Sequence, residues 1–194
     1  MKLLIAVPCL DMLPIEFVQS LHALTRRLDK DGVDFEVRFE VGSLVYLARD
    51  NLALYASKNW FTHVLWLDSD MVFSDDIFYQ LKSLNAEIAV GVFRGRHGSH
   101  QYCLYENPDM RLSGIKDKPF QVGMCGFACV LTATTVLEHI SEKYNGHPFC
   151  PTQYFGEDLQ FCIRANGMGY RIMCQPEAKV GHVARSVIWP DKEE

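Results

Sequence analysis

Apolar positions fall first into an unbroken run, "KLLIAVP" at residues 2–8, and then into "PIEFVQSLHALTRRLDKD", where Phe17, Leu21, Leu24 and Leu28 recur every three or four residues. The run reads as a buried strand and the periodic stretch as an amphipathic helix that Gly32 ends. "VDFEVRFE" alternates as a second strand, and "SLVYLARDNLALYASKN" predicts a second helix that turns Leu47 and Leu54 toward the sheet. "FTHVLWLD" is a third strand, "SDDIFYQLKSLN" a short helix capped by Ser74 or Asp75, and "AEIAVGVF" a fourth strand.

This alternation predicts an α/β fold: one domain over residues 1–194, with a mostly parallel sheet flanked by helices on both faces. Ligands of such sheets bind beyond the carboxyl ends of the strands, where Pro8 to Met12, Asp68 to Asp70 and Phe93 to His97 should emerge together. Between residue 94 and about residue 120 the period is lost, which predicts a long loop or small irregular strands serving as a binding segment or lid. "FQVGMCGFACVLT" reads as one or two strands broken at glycines, "ATTVLEHISEKY" as a helix, and "GEDLQFCIRANGMGYRIMC" as a helix with Gly167 at its exit, followed by a strand.

Composition narrows the class. A hydrophobic fraction of 48% can fill one core, and a formal charge of -5 argues against a surface built to hold a nucleic-acid backbone. The N-terminal apolar run is too short for a membrane span, which needs roughly eighteen apolar residues, so the chain reads as soluble and cytoplasmic. The seven cysteines include no CxxC pair and sit mostly in apolar surroundings, so they read as buried thiols rather than as a zinc site or a disulfide framework. Neither a Walker loop nor a GxGxxG turn follows the first strand.

The candidate chemistry lies in the acidic residues. Asp68 and Asp70 share a side of an extended strand end, and two carboxylates so placed suit Mg²⁺ or Mn²⁺ bound jointly with substrate phosphates. The ordinary alternative is an acidic turn with no ion. Glu157 and Asp158 open a helix, where acidic residues complement the helix dipole without any chemistry, or where one of them serves as a general base. His182 is either a packed imidazole or a nitrogen ligand of the kind Mn²⁺ accepts more readily than Mg²⁺; His63 and His22 read as packed and helical, respectively. Arg49, Arg94 and Arg96 can clamp phosphate with forked hydrogen bonds, or Arg49 can pair with Asp50 structurally.

The order of these motifs resembles the GT-A glycosyltransferases, in particular the short, inverting family 2-like enzymes of bacteria and phages. The resemblance rests on "IAVPCLD", "LARDNLA", "THVLWLDSDMVF" with its DxD, "VGMCGFACVLT", "FGEDLQFCIRANGMGYRI" and "VGHV", which together span most of the chain. It implies a nucleoside diphosphate sugar donor and a hydroxyl acceptor, with Asp70 bridging a divalent ion to the donor diphosphate. It further implies that Asp68 faces the ribose or the metal's water shell, that Pro8 and Asp50 line the nucleotide site, and that Arg49 helps position the nucleotide. His182 would be a further metal ligand, Asp158 the base, and Glu157 the residue that orients the acceptor, with residues 1–93 the donor nucleotide-binding half and residues 94–194 the acceptor-side and metal-completing half.

Two other readings compete with transfer. A nucleotidyltransferase uses a similar sheet and metal for attack at phosphorus, but the glycine-rich basic loop it would need after the first strand is missing. A sugar- or nucleotide-binding module would keep the fold without turnover.

Overall fold

The computed structural model describes residues 1–95 and 101–183. The chain begins with β1 (Lys2–Cys9), α1 (Ile15–Lys30), β2 (Asp34–Val41), α2 (Val45–Lys58) and β3 (His63–Leu67). It continues through β4 (Met71–Val72), α3 (Ile77–Lys82), β5 (Ile88–Val92), β6 (Leu104–Asn107), β7 (Met110–Arg111), β8 (Phe120–Val122), β9 (Met124–Cys125) and β10 (Cys129–Ala133). The last described elements are α4 (Thr134–Lys143), α5 (Glu157–Gly167), β11 (Ile172–Lys179) and β12 (Gly181–His182).

Seven strands form the main sheet in the order β2-β1-β3-β10-β5-β11-β8. The apolar runs become its centre: from Leu3 to Val7, and from Val64 to Leu67, no residue is exposed. Phe17, Leu24 and Leu28 of α1 pack into this core, as the helical period requires.

The sheet is mixed rather than mostly parallel. β1 runs parallel to β2 and β3, and β5 parallel to β11, whereas β10 is antiparallel to both β3 and β5, and β8 is antiparallel to β11. The cause is the connection into β10. No crossover helix precedes it; the chain arrives through short strands and enters the gap between β3 and β5 in the reverse direction.

In the segment after residue 94, β6 and β7 are small irregular strands, one of its two expected forms. β6 pairs with β7 and with β9, giving a three-stranded antiparallel unit beside the main sheet. Gly123 separates β8 from β9 where the backbone of β6 passes close by: a Cβ on it would lie 2.0 Å from the Glu106 carbonyl oxygen. The "FQVGMCGFACVLT" segment thus yields three strands, β8, β9 and β10, with breaks at Gly123 and Gly126.

Two local expectations are corrected. Leu47 and Leu54 of α2 face outward, at 39% and 52% exposure, and the buried face carries Ala48, Arg49, Asp50, Leu52, Ala53 and Ala56. The inward turn of two charged residues, each with partners inside, rotates the helix away from the face that hydropathy favours. At the start of α3 the N-cap position belongs to Asp76, and Ser74 spends its hydroxyl on the Asp76 carboxylate, so neither Ser74 nor Asp75 caps the helix.

β5 and β11 enclose an irregularity. Cys174 pairs with Val90 and Lys179 with Val92, so β11 carries extra residues between the two pairings and bulges. No helix among the described residues is long and apolar enough to cross a membrane.

Candidate functional site

β3 ends in a turn rather than in continued extension. The Asp68 amide donates to the Ala128 carbonyl at 3.1 Å, and the Met71 amide returns to the Asp68 carbonyl at 3.2 Å. Asp68 and Asp70 consequently part. Asp68 Oδ1 accepts from Arg49 Nη2 at 2.8 Å, while Asp70 Oδ1 lies 3.9 Å from His182 Nε2.

Pairing between β4 and β12 brings His182 to this turn. His182 stands opposite Met71, Gly181 opposite Val72, and the Val183 amide donates to the Asp70 carbonyl at 2.9 Å. The imidazole lies edge-on to Phe93, with ring centroids 5.7 Å apart. Its Nδ1 bonds the Arg94 carbonyl. A carbonyl only accepts, so Nδ1 carries a proton, and Nε2 is the ring nitrogen that faces Asp70. A metal-ligating histidine uses the same arrangement, in which a backbone oxygen fixes the tautomer.

Arg49 joins the turn to the second acidic motif. Its other terminal nitrogen, Nη1, bonds Glu157 Oε1, and its Nε, also buried, has no hydrogen-bond partner among the described residues. The guanidinium is only 3% exposed and lies over the Phe127 ring, 5.5 Å from the centroid. Phe127 belongs to an aromatic floor with Trp66, Phe149 and Phe161, in which Phe149 and Phe161 stack at 4.7 Å. Burial pulls the Arg49 pKa down, but Asp68, Glu157 and Asp158 outweigh it and leave the guanidinium more firmly protonated than usual.

Glu157 and Asp158 occupy the first turn of α5, directly after Gly156. Asp158 Oδ1 accepts from the Leu159 amide at 2.7 Å, and the residue forms no salt bridge among the described residues. Burial raises its pKa, as does neighbouring Glu157, against an opposing pull from Arg49. A carboxylate shifted in that direction is a stronger base than a solvated one.

The other sequence-predicted residues do not join the Arg49 bridge. Asp50 is buried and points to the connection before α5, where it accepts from the Phe149 amide at 2.8 Å and contacts His147 Nδ1 at 3.0 Å. Its pKa is raised by burial, with these hydrogen bonds working in the opposite direction. Arg49 and Asp50 therefore have separate partners, and the structural pair between them does not form. Pro8 is buried near the end of β1. Arg94 is exposed, bonds the Tyr102 hydroxyl at 3.0 Å and covers that ring at 4.6 Å. Arg96 and His97 lie outside the described residues. His63 is half-buried beside Lys82, and His22 is exposed. All seven cysteines are free thiols.

Sequence reasoning missed Phe127, which supports Arg49, and His147, which holds Asp50. Neither carries a local signal, because each is defined by a partner remote in sequence. Among the described residues, no group of three or more His, Cys, Asp or Glu side chains is arranged to hold a metal ion.

No protein-family model matches the sequence, and no curated protein matches it. Solved structures do match the fold. One is "A197 from STIV", 14% identical with a TM-score of 0.62, the match covering 100% of this chain and 99% of that one. Another is described as a glycosyltransferase involved in the glycosylation of the major capsid of PBCV-1; it is 12% identical with a TM-score of 0.50, and the match covers 96% of each chain. Identities this low speak to the fold alone: an α/β domain with a mixed sheet shared over nearly the whole chain.

Proposed function

We propose that the protein is a metal-dependent glycosyltransferase of GT-A type, moving a sugar from a nucleoside diphosphate donor to a hydroxyl acceptor with inversion. The observation that carries this reading is the Arg49 bridge, which ties the Asp-Ser-Asp turn to the Glu157–Asp158 helix start. Two acidic motifs 89 residues apart, counted from Asp68 to Glu157, thereby face one end of the sheet. The fold shared with a solved glycosyltransferase supports the same reading.

Asp70 and His182, whose Oδ1 and Nε2 lie 3.9 Å apart, are the residues that would hold Mn²⁺ or Mg²⁺, ions that carboxylate and imidazole suit. Two protein ligands suffice for an ion that also takes substrate phosphate and water. When bound, such an ion neutralises charge on the departing diphosphate.

The chain's own residues do the rest. Asp158 takes the proton from the acceptor hydroxyl, whose oxygen attacks the anomeric carbon as the bond to the diphosphate oxygen breaks. Attack opposite the leaving group inverts the centre. Glu157, held by Arg49, orients the acceptor, and Asp68, held by the same guanidinium, keeps the turn in place for Asp70. In this reading Arg49 positions protein carboxylates and not donor phosphate, and Asp50 shapes the site from behind through the 147–149 segment.

The test is incubation with nucleoside diphosphate sugars and Mn²⁺, reading nucleoside diphosphate release and the anomeric configuration of the product. Consumption of a nucleoside triphosphate with release of pyrophosphate, and no diphosphate release from any donor, would establish the nucleotidyltransferase reading instead. Donor binding with no turnover would leave a binding module.

A further inference from the structure

A cavity of about 930 Å³ opens at the carboxyl ends of β5 and β11, with His182 in its lining. The β11 bulge builds one wall: its extra residues carry Pro176 and Glu177 out of the ladder, and Lys179 re-enters it opposite Val92. The 115–117 segment and Arg94 with Tyr102 also line the cavity. Gly91 makes the arrangement possible, because a Cβ there would come within 2.7 Å of the Ala178 carbonyl oxygen.

The lining has a definite chemistry. Arg94, Lys116 and Lys179 supply three cations against the two carboxylates of Asp117 and Glu177. In a chain whose formal charge is -5, this is a local reversal of sign. The aromatic rings are not open platforms: Phe93 is 4% exposed, and Arg94 covers Tyr102. A neutral sugar that relied on stacking would find little surface, whereas phosphate or carboxylate would find the two ammonium groups and the Arg94 guanidinium. The Lys116 ammonium lies 5.0 Å from the Phe120 ring centroid, and Arg94 already gives one nitrogen to Tyr102.

We infer that this cavity binds an anionic carbohydrate, one bearing phosphate or carboxylate. That the anion is borne by a carbohydrate rests on the transferase reading; the anion site stands on the cavity itself. His182 is common to the cavity and to the pair with Asp70, so an occupant would lie beside the donor diphosphate's position.

The experiment titrates the full chain by NMR with glucose 6-phosphate, glucuronate and glucose, and in parallel measures Mn²⁺-dependent UDP binding. At least one anionic sugar should bind tenfold or more tightly than glucose, and the stronger anion identifies whether phosphate or carboxylate is preferred. Lys116→Glu combined with Lys179→Glu should weaken that binding at least tenfold while leaving UDP affinity unchanged, and the neutral Lys116→Gln with Lys179→Gln should fall between. Both lysines are exposed, so the substitutions spare the core. Equal binding of glucose, or indifference to charge reversal, would overturn the site. Anion binding that persists while no nucleoside diphosphate binds with Mn²⁺ would instead sink the transferase reading and leave the anion site standing.

Discussion

Arg49 donates to Asp68 Oδ1 at 2.8 Å from a guanidinium that is 3% exposed, and the same guanidinium holds Glu157. Asp68 and Asp70 thus avoid mutual repulsion by taking different partners, Asp68 the arginine and Asp70 the vicinity of His182. The aromatic floor beneath Arg49 keeps water from one side of the bridge, which strengthens each ionic hydrogen bond and makes its loss costly.

Replacing Arg49 by methionine should lower stability by about 2 kcal/mol, since removal of the arginine leaves two partly buried carboxylates uncompensated. Urea unfolding measures this. A loss below about 0.5 kcal/mol, the range of ordinary surface changes, would show that the bridge contributes nothing net.

For Asp158 the sign of the pH dependence follows from its raised pKa. A base must be deprotonated, so transfer should fall as pH drops through a value above the usual carboxylate range of about 4. The stability contribution runs the other way: a raised carboxyl favours folding in its protonated form, fully below the unfolded pKa, and that benefit is lost as pH rises through the folded pKa. Asp158→Asn should therefore abolish transfer yet hold or raise the melting temperature at pH 7. Retained transfer, or a clear loss of stability at that pH, would remove Asp158 from the base role.

Donor binding offers a separate check on the ion. Asp70→Asn should weaken Mn²⁺-dependent nucleoside diphosphate binding severely, and His182→Ala less, because a carboxylate and the diphosphate remain as ligands. Calorimetric titration with and without Mn²⁺ separates the two effects. Unchanged affinity in Asp70→Asn would take the ion out of the proposed mechanism.

At Gly91 a single methyl should be enough to disturb the sheet. Its Cβ would meet the Ala178 carbonyl at 2.7 Å and the Cys129 thiol at 3.3 Å, so Gly91→Ala must push β11 away from β5. The expected cost is about 1–3 kcal/mol, read from the thermal midpoint.

The two leucines of α2 test which face is inside. Leu52 is fully buried and Leu54 is 52% exposed. Leu52→Ala should cost about 3 kcal/mol and Leu54→Ser less than about 0.5 kcal/mol, measured by denaturant unfolding. A comparable loss at both positions would contradict the inward face of the helix.

Periodicity alone determined a good deal of this protein. The unbroken runs at Leu3–Val7 and Val64–Leu67 are strands covered on both faces, and the spacing of Phe17, Leu24 and Leu28 is a helix face because burial there repeats with the helical period. The ends of elements were legible for the same reason, which is why Asp68 follows a strand and Glu157 opens a helix as expected. Tertiary structure alone decided the direction of β10, the partner of each charge and the face of α2. Arg49 and Glu157 are 108 residues apart, and Asp50 and Phe149 are 99 apart. Local pattern holds no record of such pairs. Hydropathy put Leu47 and Leu54 inside, yet two buried charges with partners across the fold turned the helix, since an unpaired charge in the core costs more than two leucines left partly in water.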